Sequence, residues 1–137
     1  MVPTTSEDYR VAVIGCGRVA WMLEDDPLET RPCTHMGGWL EYSRQTGRVD
    51  VVAGADTDAT RLLAFGQRYS SCALYNDYRE MLDAIRPDIV SICGYATDRH
   101  LMVMDAVASG VKGIWCEKAF GTSMTEACAM KKACEEN

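Results

Sequence analysis

No stretch of this sequence is apolar for the roughly 20 residues that a membrane-spanning helix requires, so none of it is expected to cross a bilayer. Positive charge is also short: 14 Lys and Arg stand against 20 Asp and Glu, a net charge of −6. Excess carboxylate finds no partner on nucleic-acid phosphates or on an anionic lipid surface, so neither is an expected ligand. The opening residues, 1–10, are polar and lack the apolar core of a signal peptide, which makes a cytoplasmic location the expectation. Seven cysteines are present, yet none forms a C-x-x-C pair or a zinc-type spacing. Most lie in apolar runs, so free thiols in a reducing compartment are expected, with no metal. Repeats, low-complexity tracts and interdomain linkers are absent. What remains is an ordinary globular composition, 47% hydrophobic and 25% charged, long enough to build one core without staples.

The most informative stretch is VAVIGCGRVA at 11–20. A β-branched apolar run leads into G-x-G-x-x-A, the strand–turn–helix context of a dinucleotide fingerprint. Gly15 permits the tight turn out of the strand. Gly17 carries no side chain to hold the backbone away from a pyrophosphate. Ala20 is small enough for the following helix to pack closely, and a helix N-terminus offers free N–H groups to phosphate. Cys16 occupies a variable position of this turn, where burial is the commoner fate of a thiol than reactivity.

The first strand is expected over 10–14 and a helical turn over 18–23. Residues 24–33, EDDPLETRPC, then break the pattern with acids and two prolines. Helical spacing returns over 34–45, with Met36, Trp39 and Leu40 as buried positions, and Gly47 closes it. The region therefore reads as one crossover helix interrupted by a solvated surface loop rather than by a substrate lid. Strand two, 49–56, ends in Asp56. A carboxylate there suits the ribose hydroxyls of NAD and opposes the extra phosphate of NADP. Its distance from the fingerprint exceeds the usual 20 or so residues because of the insert. Asp58 caps a helix bearing Leu62, Leu63, Gly66 and Tyr69.

Strand three is expected over 72–75. Asp77 to Glu80 form a capping pattern ahead of Met81, Leu82 and Ile85, and Pro87 stops that helix. Strand four, 88–93, is nearly all apolar, as a strand covered on both faces should be. Asp98 opens a helix with Leu101, Met104 and Val107, ended by Gly110. Strand five spans 113–116, and Ser123 to Glu126 begin the last helix. Alternating strands and helices imply a parallel α/β sheet of the Rossmann, doubly wound type, strand order 3-2-1-4-5. The chain ends on a helix where a sixth strand would follow, as a fragment would.

These residues resemble the N-terminal cofactor domain of the glucose–fructose oxidoreductase / inositol dehydrogenase / MocA family, from Val11 to about Lys132. The likeness rests on the fingerprint, on AGADTD at 53–58, on YNDYREML at 75–82 with PDIV at 87–90, and on the stretch from His100 through AVASG at 106–110 to CEKA at 116–119. It implies cofactor contacts from Gly15, Cys16, Gly17, Arg18, Val19 and Ala20, and from Asp56 and Thr57. After strand four, Cys93, Gly94 and Tyr95 would line the nicotinamide side. The family's Glu-Lys-Pro tripeptide corresponds to Glu117, Lys118 and Ala119, which makes Lys118 the candidate catalytic lysine, facing both the nicotinamide of the cofactor and the substrate, and sets Glu117 beside the cofactor ribose. Ala119 departs from the family's proline and so loses its backbone constraint. Tyr95, Ala96 and Thr97 depart from the family's threonine-proline-asparagine.

The implied activity is hydride transfer between NAD and a sugar, cyclitol or related secondary alcohol. NADP stays open because Thr57 and Arg61 can both meet a phosphate. The small-molecule substrate would be held largely by a C-terminal domain that these residues do not include, so the isolated chain is expected to bind cofactor without turnover. A homo-oligomer is compatible with this reading. The second reading is a dinucleotide-sensing or interaction domain without turnover, which Ala119 and the missing half favour. A third ligand, S-adenosylmethionine, gains nothing from Glu117 and Lys118.

Overall fold

A computed structural model describes residues 8–137. The first seven residues, most of the polar opening, lie outside the described part. Five strands form one parallel sheet: β1 (Tyr9–Ile14), β2 (Val49–Ala55), β3 (Ala73–Tyr75), β4 (Ile89–Ile92) and β5 (Gly113–Cys116), in the order β3-β2-β1-β4-β5. Helices α1 (His35–Thr46), α2 (Ala59–Arg68), α3 (Tyr78–Ile85), α4 (Ala96–Ala108) and α5 (Met124–Glu136) make the connections. The expected topology is therefore the observed one.

Central strand β1 shows why the sheet needs cover on both sides. Its side chains alternate between faces. Val11 and Val13 join a core with Met36, Val51, Leu62 and Phe65 beneath α1 and α2. Ala12 and Ile14 join the opposite core with Met81, Leu82, Ile92 and Val103. All four of these β1 residues are buried. Beside them, Val11 pairs with Val51 while Ala12 pairs with Ala53, so Val52 is an extra residue in β2.

Helix starts are set by side-chain oxygens that satisfy otherwise free amides. Thr34, Asp58, Asp77 and Ser123 each accept from an amide in the first turn of their helix. The Glu126 carboxylate takes the amide and hydroxyl of Thr122, at 2.8 and 2.7 Å, so the box expected at Ser123 closes one residue earlier. Gly47 and Gly110 have positive φ at the ends of α1 and α4.

Three expectations are corrected. The fingerprint does not open an α-helix: after turns at 18–21 comes a short 3₁₀ turn, Met22–Asp25. Helix α4 starts at Ala96, two residues before Asp98, with Tyr95 as an N-cap that makes no side-chain bond. Its buried face carries Arg99, Val103 and Ala106, so Leu101 is exposed and Met104 and Val107 are half-buried. Leu40 and Leu63 are likewise exposed, while His35 and Phe65 are buried in their helices. A shift of one position in helical phase moves a side chain about 100° around the axis, which is enough to reverse its burial.

The interrupted crossover is visible in the hydrogen bonds. The amides of His35 and Met36 donate to the carbonyls of Val19 and Ala20, at 3.1 and 2.9 Å. The chain leaves after Ala20, makes its excursion, and returns to the same turn. Glu24 holds that excursion in place. One of its carboxylate oxygens accepts from the Thr34 hydroxyl at 2.6 Å, the Thr34 amide at 3.0 Å and the Cys33 amide at 3.2 Å. Partial desolvation pushes this carboxyl up, but the Thr34 and Cys33 donors outweigh it and hold Glu24 below its ordinary range. Outer residues such as Leu28 are exposed, as a surface loop requires.

Removing this anchor should weaken the fold by about 1–2 kcal/mol, the usual scale for a helix-start cap with several bonds. Urea unfolding of Glu24→Ala checks this. A carboxylate with a lowered folded pKa stabilises above its ordinary range and loses that contribution as pH falls through the lowered value. The gap between wild type and variant should therefore close in acid.

Candidate functional site

Parallel strands all point their carboxyl ends to one side of the sheet, and the loops leaving those ends enclose a cleft of about 730 Å³. Its position beside β1, where the strand order reverses, is where open α/β sheets bind ligands. Gly15 and Gly17 line it after β1, Asp56 and Thr57 after β2, Gly94 and Tyr95 after β4, and Glu117 and Lys118 after β5. Arg18, Val19 and Cys93 also border it. Residues separated by about a hundred positions thus meet in one wall.

The side chains of Cys16 and Ala20 do not line the cleft. The Cys16 side chain is buried, with Sγ 3.6 Å from the Ala55 carbonyl, and burial pushes its thiol well above the ordinary range. Its backbone N–H, not its side chain, serves the site. Ala20 is fully buried and packs rather than lines.

Gly15 has φ +86°, and a Cβ there would lie 2.8 Å from the Gly94 nitrogen and 2.9 Å from the Cys93 carbonyl carbon. Both facts demand glycine. Around Gly17 a Cβ would meet nothing within 4 Å. The backbone there faces open space.

Asp56 closes one end of the cleft. One carboxylate oxygen accepts from the Cys16 amide at 2.8 Å and the other from the Asp58 amide at 2.8 Å. Each oxygen retains a further lone pair, so the carboxylate is fixed yet still able to accept from two hydroxyls. Above it, Arg61 donates to the Tyr95 hydroxyl at 3.2 Å and lies 3.9 Å from Asp58, which draws the guanidinium to the rim.

At the other end, His35 Nε2 lies 3.1 Å from Glu117 Oε1. Burial pushes the imidazole down, against an upward pull from Glu117, so it is held below its usual value. The neutral ring therefore carries its proton on Nε2 and donates it to the carboxylate. It stacks on Trp115 at 3.9 Å, and Trp39 meets the same indole edge-on at 5.5 Å while donating to Ser91 at 2.7 Å. Glu117 is thereby positioned by α1. Lys118 follows it, exposed at the cleft. The Lys118–Ala119 peptide is cis.

Sequence reasoning missed His35 and Arg99. Arg99 is 6% exposed and borders the cleft, and its guanidinium bonds the carbonyls of Gly94 and Ala119. The available signal was phase: at four-residue spacing Arg99 falls in line with Val103, one position off the apolar set that the sequence suggested. His100, which lies next to it, is half-buried. Among the described residues no three His, Cys, Asp or Glu side chains gather as a metal site would need.

The sequence model of the GFO/IDH/MocA family, described as an oxidoreductase family with an NAD-binding Rossmann fold, matches residues 9–137. The chain belongs to this family. A relative, the D-apiose dehydrogenase of Paraburkholderia graminis, is 33% identical over 132 residues, 96% of this chain and 31% of that protein. The D-glucoside 3-dehydrogenase of Escherichia coli is 28% identical over 114 residues, 83% of this chain and 28% of that protein. A solved oxidoreductase from Agrobacterium radiobacter, in complex with NAD+, L-tartaric acid and magnesium, superposes with a TM-score of 0.75 at 25% identity. That match covers 94% of this chain and 33% of the other. This GFO/IDH/MocA chain spans about a third of the length of the relatives it matches.

The two fingerprint glycines should behave differently in unfolding experiments. Gly15→Ala should cost more than about 1 kcal/mol, from the positive φ and the contact with Cys93 and Gly94. Gly17→Ala should stay within about 0.5 kcal/mol of wild type, because its surroundings are open.

Proposed function

We propose that this chain is the dinucleotide-binding part of an NAD-dependent oxidoreductase acting on a sugar, cyclitol or related secondary alcohol. The observation that carries this is the Asp56 carboxylate, anchored by the Cys16 amide on the fingerprint turn and aimed into the same cleft as Lys118. The residues fit the cofactor's two ends. Gly15, Gly17 and Arg18 would hold the pyrophosphate, with Val19 alongside, and Asp56 and Thr57 the adenosine ribose. Cys93, Gly94 and Tyr95 would wall the nicotinamide, and Glu117, fixed by His35, would accept from its ribose. The relatives' names, an apiose and a glucoside dehydrogenase, support the substrate class.

When bound, the dinucleotide supplies the hydride acceptor or donor. Lys118 would face the substrate oxygen. Its ammonium stabilises negative charge that develops there as the hydroxyl proton leaves. A base to receive that proton and most substrate contacts would come from polypeptide beyond this chain. The free cysteines fit a reducing cytoplasm, and no described helix is long and apolar enough to cross a membrane.

Asp56 decides between the two nicotinamide cofactors. A carboxylate held by two backbone donors cannot swing away from a 2′-phosphate, and Arg61 is engaged at the rim with Tyr95. Titration should show tryptophan-sensitised NADH binding that is tighter than NADPH binding. Asp56→Ala should narrow that preference by about tenfold, the scale of one lost charged hydrogen bond. No binding of either dinucleotide by the folded chain would overturn the proposal. In a longer protein that contains this chain and turns over, Lys118→Met should lower kcat by a factor of about 10² or more while NADH affinity falls far less. Unchanged turnover would remove Lys118 from the mechanism.

A further inference from the structure

Among the described residues, Arg99 is a buried cation without an anion. At 6% exposure it forms no ion pair among the described residues, and its Nε is buried with no hydrogen-bond partner. Burying a guanidinium in this way is costly, and a well-packed apolar side chain of similar volume would be expected to serve stability at least as well. Its placement therefore calls for a reason other than stability.

The hydrogen bonds supply one. One terminal nitrogen donates to the carbonyl of Gly94, at 2.8 Å, and the other to the carbonyl of Ala119. Gly94 follows β4 and Ala119 follows β5, so a single rigid, planar group spans two strand-end loops. Few side chains can do this. A guanidinium holds its donors in fixed directions, whereas an ammonium on a flexible stem is a point donor. The loop after β5 needs such a tie. β5 is at the edge of the sheet, and Lys118, Ala119 and Phe120 are exposed. Alanine at 119 puts no ring constraint of its own on the backbone there. The loop after β4 is held from its other side by Gly15, which leaves no room for a side chain against Cys93 and Gly94.

We propose that Arg99 is a positioning residue for the nicotinamide end of the cleft. By holding the Gly94 and Ala119 carbonyls together it fixes the β4 and β5 loops relative to each other, and with them the backbone that carries Glu117 and Lys118. The adenosine end, built from the fingerprint turn and Asp56, does not depend on it. This rests on the reading of the cleft as a dinucleotide site.

The two ends can be tested separately, because ADP occupies the adenosine and pyrophosphate region without the second ribose or the nicotinamide. Calorimetric titrations of the 137-residue chain would compare NADH with ADP for wild type, Arg99→Gln and Arg99→Lys. In both variants ADP should bind within about twofold of wild type. NADH should weaken by about tenfold, the scale of leaving a loop to be ordered on binding. Arg99→Lys keeps the charge and most of the stem, so a loss there assigns the effect to the two-carbonyl bridge rather than to charge. It also carries the comparison alone if Arg99→Gln does not fold. Equal weakening of both ligands would overturn the proposal in favour of a general structural role. NADH affinity unchanged in both variants would overturn it too, as would a lysine variant that behaves like wild type. If wild type bound neither ligand, the dinucleotide reading itself would fall and the positioning role with it.

Discussion

The arrangement of this domain depends on one close approach. The chain leaving β1 passes so near the chain leaving β4 that Gly15 has no space for even a methyl group against Cys93 and Gly94. This contact brings the fingerprint turn into the crevice between adjacent parallel strands. The amide of Cys16, the next residue, then meets Asp56 at the end of β2. Three strand ends are thus locked by one glycine and one carboxylate. A ligand that spans the crevice finds a floor already in place, and preorganisation of this kind lowers the ordering cost of binding.

The two ends of the cleft are built by different physics. The end at Asp56 is held by backbone amides on a carboxylate, in short, charge-assisted bonds: one from Cys16 at the neighbouring strand end and one from Asp58 within the same loop. The end at Lys118 relies on long side chains reaching across the sheet: His35 from α1 to Glu117, and Arg99 from α4 to Gly94 and Ala119. Both reaching groups are buried, and each leaves a ring or guanidinium nitrogen without a partner. Stability alone would not favour such groups. Residues that break the rules of a good core tend to mark function, and here they border the loop that carries Lys118.

The insert at 24–33 leaves this scheme intact because it is spliced into the crossover rather than appended to it. His35 and Met36 resume the hydrogen bonding of Val19 and Ala20, and Glu24 gathers both sides of the splice. Loop insertions cost little when their two ends are held close together, so Asp56 can lie far from the fingerprint in sequence and remain beside it in space. That separation was readable as an insertion because the two prolines in 24–33 cannot continue a helix.

Local and periodic features were determined by the sequence itself. Five strands, their order, most helix caps and the fingerprint followed from apolar runs, turn residues and side-chain oxygens, which act within a few residues of where they stand. Asp56 was legible from its place at a strand end after the fingerprint, whereas Glu117 and Lys118 stood out only through the resemblance to the family's Glu-Lys-Pro tripeptide, since a lone lysine after a strand otherwise reads as a surface charge. Helical phase was not legible. Leu40, Leu63 and Leu101 have the spacing of core residues, yet they face outwards, while His35 and Arg99 turn in. A one-position error in phase is invisible in composition, because both faces of α1 and α4 carry apolar side chains. Only the packing of those helices on the sheet decided which polar group was buried, and which carbonyls, far away in the chain, it would hold.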